Sequence, residues 1–378
     1  MSAVHLFRDI EALENLALPW NALHGQTRGA SFFQTREWLT RYWRHFAADQ
    51  ELLVFAVRDG RDWLGIVPLV VRQEETRLGP LRTLTYPLAD WGSFYGPIGP
   101  QPTATLIAVF QKLRRMRRQW DVIDLRCVDR HGPDAGRVQA TMRFAGLPAA
   151  YLPWKQTALV DLAEGWDAYF AERSGKFRNN VRRADKRLAQ MGAVEFQRHR
   201  PAAATRGGGD PDWPLLNDVL DVAERSWQGK AGTGTTLSSP SIVQFIIDCH
   251  ADAARLGMLD VAALRLNGRV IAFGYNYHHQ GQVFGLRSGY DPEFASAGAG
   301  TALLAEMFRD SAARGDTCFD LGPGSLEAKR PWASRHATSY HCPHYPAGSL
   351  KAQLLRAKRK VWGVGGAAFG NHDKAAAA

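Results

Sequence analysis

The chain repeats itself, and that repeat limits the folds open to it. Glu51 to Gly60 followed by Arg61 to Val70 reads as strand, turn, strand, and Leu259 to Gly268 followed by Arg269 to Gly274 reads the same way. Asp59-Gly60 and Asn267-Gly268 stand at the two turns. Both dipeptides suit the positive φ angles that a tight hairpin turn demands. Each hairpin is followed by a helix candidate and then by a short apolar strand carrying Asp-Leu. In the first half these are Thr105 to Gln119 and Asp121 to Leu125; in the second they are Thr301 to Ala313 and Cys318 to Leu321. Equivalent elements in equivalent order predict two copies of one α/β (α+β) fold. A length of 378 residues suits two domains of ordinary size. The expected boundaries are 1–150 and 151–348, with 349–378 as a basic amphipathic helix and tail.

The copies differ where phosphate chemistry would occur. In the second, the strands Arg269 to His278 and Gln282 to Asp291 lead to the small-residue loop Ser296-Ala-Gly-Ala-Gly-Thr301, which opens into an amphipathic helix. A helix start offers several N–H groups without internal acceptors, and these suit a phosphate. The matching stretch of the first copy, Tyr95 to Pro102, holds three prolines, and each removes a donor. Phosphate binding is therefore expected on the C-terminal half. Because the first two strands form a hairpin, the unit is not the βαβ that a dinucleotide fingerprint requires.

The composition is 45% hydrophobic and 22% charged, with a net charge of +10. Such a surface favours an acidic partner: CoA phosphates, an acidic carrier protein, anionic lipid or nucleic acid. The four cysteines are far apart and form no CxxC pair, which fits reduced thiols in a cytoplasmic protein. The first ten residues lack a basic region followed by an apolar run, and no uncharged stretch is long enough to span a bilayer. His336, His341, Cys342 and His344 match no common metal-site spacing, so no metal is expected. No Gly-x-Ser-x-Gly elbow supports a serine hydrolase.

Ser174 to Leu188 is a basic amphipathic helix candidate. Phe177, Val181, Ala184 and Leu188 form its apolar stripe. Six cations face one acid, Asp185, in this stretch. The helix is either a solvated face or an anion clamp. Its motif Ser174-x-Lys-x-Arg-Asn-Asn-x-Arg-Arg183 is followed in order by Glu224 to Gly229, Tyr290-Asp-Pro292, Phe319 to Gly324 and Lys329-x-x-Trp332. From Leu152 to His344 this pattern resembles the BioF2-like, CelD-type acetyltransferase family, a branch of the GNAT superfamily close to the FemAB-like proteins. Two departures stand out. The loop Ser296 to Gly300 replaces the Ser-Pro-Gly type of many relatives, and Ala328-Lys329 stands where relatives often carry Tyr-Lys.

The resemblance implies two tandem GNAT-like domains, each a mixed, mainly antiparallel sheet flanked by helices. It also implies transfer of an acyl group from acyl-CoA, or acyl carrier protein, to an amine or hydroxyl. Backbone N–H groups of Ala297, Gly298, Ala299, Gly300 and Thr301 would hold the pyrophosphate, with charge added by Arg178, Arg182 or Arg183. By the same resemblance, Leu286, Arg287 and Ser288 lie on the strand that would bind pantetheine and polarise the carbonyl. Asp320 is the first candidate for proton transfer, because it interrupts an apolar strand just before Gly322-Pro-Gly324; a turn role is the alternative. Glu327 and Lys329 would orient the acceptor, and Tyr290 would protonate the leaving thiolate. A buried Arg287 would need a partner, either Asp291 or Asp320, or an anionic substrate group.

The implied acceptor is an amino sugar or a long-chain amine, in envelope polysaccharide or lipid synthesis. A second basic amphipathic stretch, Ser349 to Trp362, would dock on the protein or rest peripherally on the inner membrane face. Two rivals stand beside this reading. One is a FemAB-like aminoacyl transferase using charged tRNA; the other is a non-catalytic module of a polysaccharide-synthesis complex. The basic helix lacks interleaved aromatic residues, which argues against nucleic acid.

Overall fold

The computed structural model describes residues 2–76, 79–89, 91–226, 229, 236–322 and 324–361. Trp227 and Gln228 of the Glu224 motif, Pro323, Trp362 and the tail lie outside the described residues. The chain begins with β1 (Ala3–Phe7), α1 (Ala17–Gly25), α2 (Arg36–Phe46), β2 (Gln50–Asp59), β3 (Asp62–Glu74) and β4 (Leu81–Thr85). It continues through α3 (Pro102–Arg115), β5 (Val122–Val128), α4 (Arg137–Phe144), β6 (Leu152–Asp161), α5 (Gly165–Glu172), α6 (Gly175–Met191) and β7 (Val194–His199). Next come α7 (Trp213–Arg225), α8 (Val243–Leu256), β8 (Leu259–Leu266), β9 (Arg269–His279), β10 (Gln282–Tyr290) and α9 (Ala299–Ala313). The last elements are β11 (Cys318–Asp320), α10 (Leu326–Lys329), β12 (Arg335–His344) and α11 (Leu350–Val361).

These elements divide into two compact units. Among the described residues, the first runs to Gln156 and resumes from Thr338 to Val361; the second is Thr157–Ala337. The strand order of the first unit is β1-β2-β3-β4-β5-β12, and that of the second is β7-β8-β9-β10-β11-β6. In each unit every neighbouring pair is antiparallel except one: β4 with β5, and β10 with β11. The repeat is therefore one of mixed, mainly antiparallel sheets flanked by helices. Asn267 and Gly268 both take positive φ, at 49° and 82°, as a two-residue turn between twisted strands requires.

One boundary differs from the sequence reading. Tyr340 to His344 of β12 pair with β5, so the stretch from Thr338 to Gly348 belongs to the first unit rather than to a 151–348 domain. Helix α11 packs there too, burying Ala352 and Leu355 against Leu81 and Val122. Its Leu350 and Leu354 remain exposed.

One core of the second unit lies on the sheet face covered by α5, α6 and α9. Val181, Ala184 and Leu188 of α6 meet Ala299, Ala302 and Leu303 of α9 there, over Val283 and Phe319. Ser174 caps α6 by accepting from the Phe177 N–H, and Phe177 meets Trp332 edge-on at 4.7 Å.

The two parallel pairs part differently. In the first unit the wedge past β4 is filled by the chain itself: Tyr95 N–H donates to Cys127 O at 2.7 Å, and Ile98 exchanges bonds with Ile66. The proline-bearing stretch is thus part of the sheet. In the second unit β11 stops at Asp320, opposite Phe284, while β10 runs on to Tyr290.

Candidate active site of the second unit

The parting of β10 and β11 is fixed by glycine. A Cβ on Gly285 would lie 2.8 Å from Asp320 O, and Gly322 has φ +75°. A bulge between Gly285 and Arg287 bends β10 at the same level.

Asp320 sits at this point and is 7% exposed. The Thr157 hydroxyl donates to its Oδ1, as does the Gly322 N–H at 2.8 Å. Lys329 Nζ donates to Gly322 O at 2.7 Å. Burial pushes the Lys329 ammonium down to about 8; Asp320 opposes that shift and Arg287 adds to it. Arg287, from the bulge, is half-buried, donates to Leu286 O at 2.7 Å and lies within electrostatic reach of the buried Tyr277. Carboxylate, amine and guanidinium thus converge where the strands separate. A partly neutral lysine beside a carboxylate can take up and return protons near neutral pH.

The other end of β10 leads to the small-residue loop. Gly298 takes φ +89°, and a Cβ there would stand 2.7 Å from Ala184 Cβ on α6. Arg187 of α6 donates to Ser296 O at 3.0 Å. The first helical bond of α9 runs from Ala302 N–H to Gly298 O. The N–H groups of Ala299, Gly300 and Thr301 therefore have no acceptor within the helix, and the helix dipole adds partial positive charge.

Of the residues singled out in the sequence, the structure gathers Asp320, Lys329 and Arg287 at the parting, with Leu286 and Ser288 flanking Arg287 on the bulged strand. Ala297, Gly298, Ala299, Gly300 and Thr301 form the loop and first turn of α9. Tyr290 does not join Asp320. It lies six residues beyond Phe284, roughly 20 Å along the strand, and its ring packs where a Gly300 Cβ would stand at 2.9 Å. Glu327 is exposed in the first turn of α10. Arg178 caps the end of α5 by donating to Ala171 O and Arg173 O, at 2.7 and 2.6 Å. Arg182 and Arg183 are exposed. Arg183 is one turn from Arg187 on the flank that meets the loop, and Arg182 lies on the opposite flank. Asp291 is held by Arg225 and Arg269, at 3.0 and 2.6 Å. It caps Glu293 N–H as well, so its role is structural.

Sequence reasoning missed Thr157, Gly285 and Arg187. Thr157 is a lone hydroxyl before an apolar run and gives no local signal. Arg187 stands four residues after Arg183, one helical turn on, and that spacing could have singled it out.

Residues 175–330 match the family model described as an acetyltransferase (GNAT) domain. That stretch carries a GNAT-type fold. The crystal structure of FemX is similar over 90% of this chain and 98% of that one, at 10% identity and a TM-score of 0.61. A conserved protein of unknown function from Bacteroides thetaiotaomicron is similar over 90% of this chain and 100% of that one, at 13% identity and a TM-score of 0.50. At these identities the likeness concerns the fold. No curated protein matches the chain. Among the described residues no helix is long and apolar enough to cross a membrane, and no cluster of His, Cys, Asp or Glu could hold a metal ion.

Proposed function

We propose that the protein transfers an acyl group from a thioester, carried by CoA or an acyl carrier protein, to an amine at the parting of β10 and β11. One observation carries this reading. Asp320 and Lys329 both bond Gly322 at one end of β10, and the donor-rich first turn of α9 follows the other end.

In this reading the N–H groups of Ala299 to Thr301 hold the donor's phosphates, with Arg187 and Arg183 adding positive charge. The bulged stretch Leu286 to Ser288 lines the pantetheine and offers backbone N–H to the thioester carbonyl. The acceptor arrives as an ammonium drawn by Asp320. Neutral Lys329 takes its proton, the free amine attacks the carbonyl, the C–N bond forms and the C–S bond breaks. The Lys329 ammonium returns that proton to the departing thiolate, and the neutral amine so restored takes the second proton from the acylated nitrogen and passes it to solvent, leaving amide, thiol and one released proton. The motif order from Ser174 to Trp332 favours a BioF2-like, CelD-type enzyme, and with it an amino sugar or a long-chain amine as acceptor.

Calorimetric titration with CoA and with acetyl-, octanoyl- and palmitoyl-CoA tests the donor. Binding that strengthens with chain length supports a lipid-sized pocket. No binding to any of them overturns the CoA form of the proposal and directs the search to acyl carrier protein or charged tRNA.

A further inference from the structure

The first unit holds a counterpart of the Asp320 site. Val122 and Ile123 pair with Thr83 and Leu84 as Cys318 and Phe319 pair with Gln282 and Val283. Pro343 faces Asp124 as Leu159 faces Asp320. Asp124 and Asp320 therefore occupy the same place in their sheets. Two residues before those partners stand His341 and Thr157, and each bonds its aspartate: His341 Nδ1 meets Asp124 Oδ1 at 2.7 Å.

The first unit's version is the more elaborate. Arg126 Nε donates to Asp124 at 3.1 Å, while its two Nη groups fork onto Glu74 at 2.7 and 2.8 Å. The indole of Trp154 lies 5.0 Å from the Arg126 guanidinium and 5.3 Å from the His341 ring. An ionised carboxylate only accepts, so Nδ1 carries a proton, and in that tautomer Nε2 is the ring's acceptor. His341 is 2% exposed, yet Nε2 has no hydrogen-bond partner among the described residues, and neither has Trp154 Nε1. Thr85 Oγ1 is a third such atom. It stands beside Asp124 on β4, on the same face, because Thr83 pairs with Val122 and side chains alternate.

Three unanswered polar atoms on one face are more than structural pairing usually leaves. They are also chemically complementary: an acceptor, an N–H donor and a hydroxyl. Arg126 is committed to Glu74 and Asp124, so an anionic ligand finds no spare guanidinium there. Trp154 is itself partly exposed.

We propose that the first unit carries a second ligand site, centred on His341 Nε2 and Trp154 Nε1, for a small amine- or hydroxyl-bearing molecule. The ligand's hydrogen-bond donor meets the histidine and its lone pair meets the indole N–H. This inference does not rest on the acyl-transfer reading, and its failure would leave that reading untouched.

The test is NMR of the full-length protein with 15N-labelled histidine, titrated with glucosamine, ethanolamine and glycerol. His341→Gln assigns the signal among the twelve histidines. At least one of the three probes is expected to move the Nε2 signal saturably. Losing one hydrogen bond in Trp154→Phe or in Thr85→Val should then weaken that binding about fivefold. The two variants are read separately, so a folding failure in one leaves the other informative. A His341 signal that none of the probes moves, or that moves identically in both variants, overturns the proposal and assigns the three atoms to buried water.

Discussion

The carbonyl oxygen of Gly285 lies where a side chain on Gly322 would begin: a Cβ there would stand 2.5 Å from it. This approach lets β11 end beside Asp320 while β10 continues. Gly322→Ala should therefore lower stability by more than the ~1–2 kcal/mol that a left-handed backbone imposes on an L-residue. Gly315→Ala is the control, since Gly315 has φ +81° with open space around it. Thermal melts of the two variants isolate the contact, and equal losses would show that it does not matter.

Lys329 should govern the pH profile. Its amine is pushed down to about 8 in the fold from an ordinary value of 10.5. If the neutral amine takes the acceptor's proton, kcat/KM rises through pH 8 and then levels. Lys329→Met should remove that limb and lower kcat by roughly 10²–10⁴. The stability effect has a definite sign. Between pH 8 and 10.5 the unfolded chain binds more protons at this group than the folded one, so stability rises with pH across that window. Melts of Lys329→Met should lack this rise.

Thr157 and Asp320 should be separable by what they change. Asp320→Asn is expected to abolish most transfer while leaving CoA affinity within a factor of about two, since the donor's phosphates bind elsewhere. Thr157→Val leaves a buried carboxylate oxygen short of a donor and should cost about 1–3 kcal/mol of stability. Calorimetry with CoA, beside steady-state kinetics, reads both. A loss of CoA binding in Asp320→Asn would move the donor away from the α9 loop.

The basic helix divides by task. Arg187→Ala with Arg183→Ala should weaken CoA binding about two- to fivefold, equivalent to ~0.5–1 kcal/mol of charge interaction near a helix start, with little change in melting temperature. Arg178→Ala should do the reverse, because its guanidinium closes the end of α5. Matching effects of the two changes on both readouts would remove the assignment.

Local pattern made much of this legible. The turn dipeptides, the apolar stripe of α6 and the small-residue helix start are each signals over a few residues, and each element formed where the pattern put it. Asp320 was conspicuous as a charge at the end of an apolar strand, whereas Lys329 entered only through the motif Lys329-x-x-Trp332. Sheet partnership was not, because alternation assigns faces without assigning neighbours. Hence Thr157, His341 and β12 gave no warning of where they pair. Arg178 illustrates a finer limit: a helical wheel groups side chains by flank, but the chain packed on each flank decides which cation touches a loop and which caps a neighbouring helix.

The strand pairings also cross between the copies. By position in the chain, β6 follows the first copy and β12 follows the second, yet β6 completes the second sheet and β12 the first. The copies have exchanged their closing strands, as two subunits of a swapped dimer would. Severing the polypeptide between β6 and α5 would leave each fragment holding a strand that pairs in the other's sheet, and its own sheet with a raw edge. Cut there, neither copy holds a complete sheet built from its own stretch of chain.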